Sequence, residues 1–459
     1  ANVNIVDAIN EQVIHNQDVY IQNGKIQQIT KATQSLPLKA TVIDGTDKYL
    51  MSSLWDMHSH LAFDVAPQLA MPMYLAHGVT GLRDMQGVMI INAKRRKWKK
   101  SIENGELLGP KIIGRADEIV GDNYDERNVT DVVERVYQSQ GAFIKIYSGI
   151  KEKRYLKLAD EAKRKHVSFA GHYPSSIDPL VSSQVGQKSF EHAHLFIENS
   201  STLADEIRAY YKDEPNASHP SKIELLESFS PHKFNHLVNT MVEHDTYFCP
   251  THVTKYYEAS VFDENYLNSS KKDYVPFLLE YVWNNDAENM KNNYDQQILK
   301  RFHQRGLELT GIAKNKGVKI LAGTDTFDPY SVPGITMHEE LAQLVAAGLT
   351  PGEAIMAATI TPANYFELGS LYGSIEKGKV ADLLLLNKNP LENIENTKEI
   401  HTLFFNKAVY SQKDLTAYKE YVKENVSGIS GMAMSAKMLW GLFRENTPEA
   451  RHNAHKQTD

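Results

Sequence analysis

From residue 50 to residue 366, apolar stretches of four to six residues alternate with helical ones, and this pattern leaves the chain few folds. The strand candidates are Leu54–Met57, Thr80–Asp84, Lys111–Gly114, Phe143–Tyr147, Val167–Gly171, Ser189–His192, Tyr247–Pro250 and Ile320–Gly323. Helical stretches such as Ala66–Ala76, Val129–Gln140, Lys153–Lys165 and Met337–Ala347 fall between them. Eight strands with intervening helices predict the α/β class and a parallel (β/α)8 TIM barrel over 51–366. The alternative is a doubly wound open sheet, which expects a Gly-rich phosphate loop after the first strand; none is present.

The two ends of the chain read differently. Val3–Val6, Asp18–Ile21, Ile26–Thr30, Thr41–Ile43 and Tyr49–Met51 are short strand candidates, with Asn23-Gly24 as a tight turn. Gly369–Leu371, Val380–Asn387 and Glu399–Phe405 are strands again. Residues 1–50 are too few strands for an independent unit. Pairing them with 367–412 gives a small β-sandwich domain built from both ends. Inside the barrel, 197–246 and 251–310 exceed ordinary connections and read as helical insertions over the strand ends. The segment 413–459 is a helical extension that ends in a polar stretch, and its apolar helix is expected to dock on its own chain.

Net charge is −7, so no basic surface for nucleic acid is expected. No apolar run has the ~18 residues of a membrane span. Cys249 is the one cysteine, which excludes an intrachain disulfide and a cysteine-based zinc site. Such sparing use fits a cytoplasmic protein, and also a periplasmic or secreted one. Because the sequence starts at Ala1, a removed export signal or a trimmed beginning is compatible with it.

Barrel enzymes carry their chemistry at the C-terminal ends of the strands, and ligand-type residues collect there. Strand one ends in His58-Ser59-His60, two imidazoles that an extended chain turns to one side. Strand four carries Lys145 among apolar neighbours, where an unpaired ammonium costs several kcal/mol. Strand five ends at His172, strand six at His192 and His194, and strand eight at Asp325. Any one of these is an ordinary packed residue. Together, in this order, they are not explained by packing.

Here the sequence resembles the amidohydrolase superfamily of metal-dependent hydrolases over nearly its whole length. Leu54–His60, Ile144–Tyr147, Phe190–His192, Ala322–Thr326 and Met337–Pro362 are similar to its branch of imidazolonepropionase-like proteins and metal-dependent prolidases. The resemblance implies two divalent metal ions. His58, His60 and Asp325 would hold the more buried one, and His172 and His192 the second. Lys145, carboxylated on its amine, would bridge both. Burial favours that modification, since only a neutral amine reacts with carbon dioxide. Imidazoles and oxygen anions suit zinc best; manganese, cobalt and iron(II) stay open. His192 rather than His194 is taken as the ligand, leaving His194 facing the substrate.

The implied mechanism is attack by a metal-bridging hydroxide on a scissile carbonyl. Asp325 would carry the proton to the leaving amine, and Tyr173 would steady the developing oxyanion. His252 after strand seven and Arg115 after strand three are further substrate-binding candidates. The expected function is amide-bond (C–N) hydrolysis of a small molecule, a dipeptide or N-acyl amino acid, as in a prolidase-like dipeptidase. Alternatives are an imidazolonepropionase-type ring opening, an esterase or lactonase on the same site, and an inactive binding protein. Pro174, Ser175 and Ser176 follow His172 where related deaminases usually carry a Glu, which argues against deamination. The sequence leaves a homo-oligomer open.

Overall fold

The computed structural model describes residues 1–32, 40–61, 63–86, 89–121, 128–139, 142–214 and 217–445. In chain order the strands are β1 (Val3–Asp7), β2 (Gln12–Gln22), β3 (Lys25–Lys31), β4 (Tyr49–Ser52), β5 (Leu54–Ser59), β6 (Val79–Asp84) and β7 (Lys111–Val120). They continue with β8 (Phe143–Ile146), β9 (Phe169–Gly171), β10 (Ser189–Glu191), β11 (Tyr247–Cys249), β12 (Leu383–Leu386), β13 (Ile400–Phe405) and β14 (Ala408–Ser411).

Strands β5 to β11 form a seven-stranded parallel sheet in sequence order. The expected eighth strand is an extended segment that closes the ring without a regular ladder. Leu321 N donates to Phe248 O (2.8 Å) on the β11 side, and Met57 N donates to Ala322 O (2.9 Å) on the β5 side. His60 N donates to Thr326 O (2.8 Å), so the closure extends past the end of β5. The barrel is therefore complete. Strand β7 is longer than its apolar core predicts, because it pairs first with β6 and then, from Ala116, with β8.

The second sheet has the order β14-β13-β12-β4-β1-β2-β3 and joins both chain ends, as expected. Asn23 and Gly24 take φ of 54° and 75° at the β2–β3 turn, a conformation these two residue types tolerate best. Beyond β3 the sheet curls back on itself. Ile26 N donates to Lys379 O (2.9 Å) and Ala381 N to Gly24 O (2.9 Å), so β3 touches the lead-in to β12. Val3, Ile5, Ile26, Leu50, Leu383 and Leu385 pack inside that curl. Two expected strands are absent. Thr41–Ile43 forms no ladder, although Ile43 O accepts from the Ala1 amine (2.7 Å), and Gly369–Leu371 is a turn.

Helices Ala204–Tyr211, Lys222–Glu227 and Pro231–Glu243 occupy the first insertion, and His252–Ser260, Phe277–Asn293 and Gln296–Asn315 the second. The expected helix Val129–Gln140 is seen as Val129–Gln138; Gln140 lies outside the described residues. The tail forms two helices, Gln412–Val426 and Gly428–Glu445, and residues 446–459 lie outside the described set. Val422, Val426, Met434 and Met438 bury against Leu69, Met73 and Trp283, so the tail docks on its own barrel and insertion. No described helix is long and apolar enough to cross a membrane.

Candidate active site

Six side chains from five strand ends meet at the C-terminal mouth of the barrel. His58 lies in β5 and His60 one residue past it. Lys145 lies in β8, His172 directly follows β9, His192 directly follows β10, and Asp325 lies on the closing segment. Asp325 is the hub. Its Oδ1 is 3.2 Å from His58 Nε2 and 3.0 Å from His60 Nε2, and its Oδ2 is 3.5 Å from His192 Nδ1. Lys145 Nζ is 3.3 Å from His58 Nε2, and His172 Nε2 is 2.9 Å from His192 Nε2.

The backbone is bent to make this possible. His192, Thr251 and Asp325 hold left-handed φ of 73°, 45° and 53°. Non-glycine residues there cost on the order of 1–3 kcal/mol each, and such strain collects at functional sites. Gly171 permits a close approach: a Cβ there would stand 2.9 Å from Lys145 Cδ and 2.5 Å from Ile146 O.

Burial decides the charges. It pushes the Lys145 ammonium down to about 8, with Glu191 and Asp325 opposing. It pushes His58 down to about 4 against the pull of Asp325, and holds His172 and His192 well below the usual imidazole range. Burial disfavours the charge on Asp325, yet His58, His192 and His60 hold its carboxyl well below the carboxylate range. The centre is thus an anionic carboxylate facing the neutral imidazoles of His58, His172 and His192.

That donor set fits divalent ions. His58 Nδ1 is 3.0 Å from Glu191 Oε2, and His60 Nδ1 is 3.1 Å from Gln86 Oε1. With those nitrogens donating outward, both Nε2 atoms present lone pairs toward the lone pairs of Asp325. Acceptors set against acceptors are stable around a shared cation. His58, His192 and Asp325 each offer a ligand atom within 4.8 Å of the others. All donors are nitrogen or oxygen, a chemistry shared by zinc and its first-row neighbours.

The centre forms the floor of a cavity of about 600 Å³, within the size range of small-molecule sites. His194 lines it, stacked on His192 with ring centroids 5.7 Å apart and planes 7° apart. The sequence places His192 and His194 on one extended strand, but β10 ends at Glu191 and a helix begins at His194, so stacking rather than strand alternation aligns them. The outer wall comes from the second insertion and the loop after Asp325, with Lys255, Tyr257, Glu258, Asp286 and Asp328. It carries both signs of charge. Lys255 pairs with Glu258, and Asp286 Oδ2 accepts from Tyr257 OH (2.8 Å).

Three expected site residues do not line this cavity. Arg115 is buried and paired with Asp117, Nη2 to Oδ2 2.8 Å. Tyr173 donates its hydroxyl to Glu198. His252 is fully buried at the start of its helix, with neither ring nitrogen hydrogen-bonded. The cavity wall instead presents Tyr147, whose ring lies 4.8 Å from that of His172.

Sequence reading also missed the groups beneath the centre. Glu191 is completely buried and accepts from Arg83 Nη2 at both oxygens (2.8 and 2.7 Å) and from Ser189 Oγ (2.6 Å). Burial raises its pKa, but Arg83 and His58 hold it down at about 2. The signal was present: Arg83 lies inside an apolar strand, the same oddity that marks Lys145.

Comparison with known proteins gives a consistent picture. The model of the Amidohydrolase family matches residues 151–410. A search of curated proteins finds no match. Among solved structures, a Xaa-Pro dipeptidase with bound methionine is 18% identical with a TM-score of 0.64, over 89% of this chain and 98% of that one. A bottromycin amidohydrolase is 18% identical with a TM-score of 0.70, over 94% and 91%. The ochratoxinase of A. niger is 17% identical with a TM-score of 0.60, over 89% and 94%. At these identities the likeness is one of fold.

Proposed function

The chain belongs to the amidohydrolase family, and from that premise we propose that it is a metal-dependent hydrolase cleaving an amide bond in a dipeptide or N-acyl amino acid. The observation that carries this is the convergence of His58, His60, Lys145, His172 and His192 on Asp325 at the floor of one cavity. His58, His60 and Asp325 would hold one divalent ion, zinc by preference, and His172 and His192 a second. Lys145, whose burial favours the neutral amine, would be carboxylated and serve both. When bound, such a pair of ions lowers the pKa of water and polarises a carbonyl.

The protein's own groups do the rest. Asp325 reaches both halves of the centre, which supports its taking the proton from the attacking water and handing it to the leaving nitrogen. Tyr147 and His194 line the wall where the acyl oxygen and the leaving group would lie. The outer wall carries Lys255 and Asp286, groups of opposite sign that suit the two charged ends of a zwitterion, which favours a free dipeptide. The Xaa-Pro dipeptidase of the same fold points the same way.

The test is a screen of the zinc-loaded protein against Xaa-Pro and other dipeptides and N-acyl amino acids, read as released amine. At least one is expected to be cleaved, with loss of activity on chelation and recovery on adding zinc. Cleavage of esters or lactones alone, or turnover that survives complete metal removal, overturns the proposal.

A further inference from the structure

The Arg83–Glu191 pair has no part in the chemistry above, yet every N–H of the guanidinium is hydrogen-bonded in the barrel interior. Arg83 uses its whole guanidinium. Nε donates to Met57 O, Nη1 to Ser189 Oγ (2.7 Å) and Tyr365 OH (3.2 Å), and Nη2 to both oxygens of Glu191. Both residues are 0% exposed. Beyond Arg83, the carboxylate accepts from Ser189 Oγ (2.6 Å) and meets Nδ1 of His58 at 3.0 Å.

A carboxylate bound by arginine only accepts, so the hydrogen on that bond belongs to His58 Nδ1. A neutral imidazole protonated at Nδ1 is bare at Nε2. The other two outward contacts at the centre are less decisive. Gln86 is an amide with both a donor and an acceptor end, and Thr251 Oγ1, 3.0 Å from His192 Nδ1, is a hydroxyl that does either. Of these outward partners, only Glu191 is confined to accepting; on the inward side Asp325 Oδ1 stands 3.2 Å from His58 Nε2, where a bound cation would take both lone pairs.

Resting on the metal reading of the site, we propose that Glu191, clamped by Arg83, is a positioning residue that fixes His58 as the Nδ1–H tautomer and thereby sets the affinity of the centre for a divalent ion. It touches neither substrate nor reacting atoms and acts through His58. In Glu191→Gln the partner of His58 can donate or accept, and Arg83 loses its counter-charge. Zinc affinity is expected to fall about 10–100-fold, the usual loss when a group behind a metal-bound histidine is removed.

Two measurements test this. Nitrogen-15 NMR of zinc-loaded wild-type protein, with the His58 resonances assigned by loss in His58→Gln, reads the tautomer directly. A proton on Nδ1 and none on Nε2 is expected. Competition with a chromophoric chelator then compares zinc binding by wild type and Glu191→Gln, beside the thermal unfolding of the metal-free proteins. A proton on Nε2 in a wild type that binds zinc overturns this proposal alone, as does a Glu191→Gln protein that binds zinc like wild type. A wild type that holds no zinc overturns the metal reading as well. If Glu191→Gln does not fold, the tautomer decides.

Discussion

Replacing Arg83 with Met tests how the interior beneath the centre is held. Met keeps much of the volume and removes every hydrogen bond of the guanidinium. Glu191 is then a buried charge without its cation, and breaking such a pair costs about 3–5 kcal/mol. The Met57 carbonyl also loses a donor, which adds about 1 kcal/mol. A total of about 5 kcal/mol, spread over a chain of 459 residues at about 2 cal/mol/K each, lowers Tm by about 5 °C if the chain unfolds as a unit. Glu191→Gln alone strands the arginine and is costly for the same reason. In Arg83→Met/Glu191→Gln neither charge remains, and about 2 kcal/mol of the combined loss is expected to return. The assay is urea unfolding of the metal-free proteins, which keeps metal binding out of the comparison. Single losses that add to within about 0.5 kcal/mol would refute the coupling.

Three further outcomes are expected. Asp325→Asn lowers kcat about 1,000-fold; a loss below tenfold in steady-state kinetics removes Asp325 from proton transfer. Lys145→Met reduces the divalent ions held per chain from two to one by elemental analysis, and retention of both argues against a bridging role. Burial pushes Glu340 up to about 8, so between the ordinary glutamate range and that value the folded state holds a proton the unfolded chain has released. Stability therefore declines as pH rises through this window. Glu340→Gln removes that group's share of the decline, and its Tm relative to wild type is expected to rise from pH 5 to pH 8; a constant difference speaks against the shift.

The alternation of strands and helices made the barrel legible, because each strand end falls where the next helix must begin. The same rule put His58, His60, Lys145, His172, His192 and Asp325 at one mouth. Groups that act through distant partners were not legible. Arg83 and Glu191 are far apart in sequence, and only closure of the barrel pairs them. Arg115 is a different case: Asp117 stands two residues on, on the same face of an extended strand, and claims the guanidinium before any substrate does. His252 reads as a strand end in the sequence, but the left-handed Thr251 turns the chain into a helix there and drives the ring inward. The eighth strand was found from its apolar run, although its pairing is too irregular to form a ladder.

The curled sheet has a consequence for how the molecule is made. Ser52 pairs with Leu383, so β4 leaves the ribosome roughly 330 residues ahead of its neighbour, on the order of half a minute at about 10 residues per second. During that interval Val3, Ile5 and Leu50 lack the leucines that finally cover them. The sheet closes over these side chains only once β12 has been made.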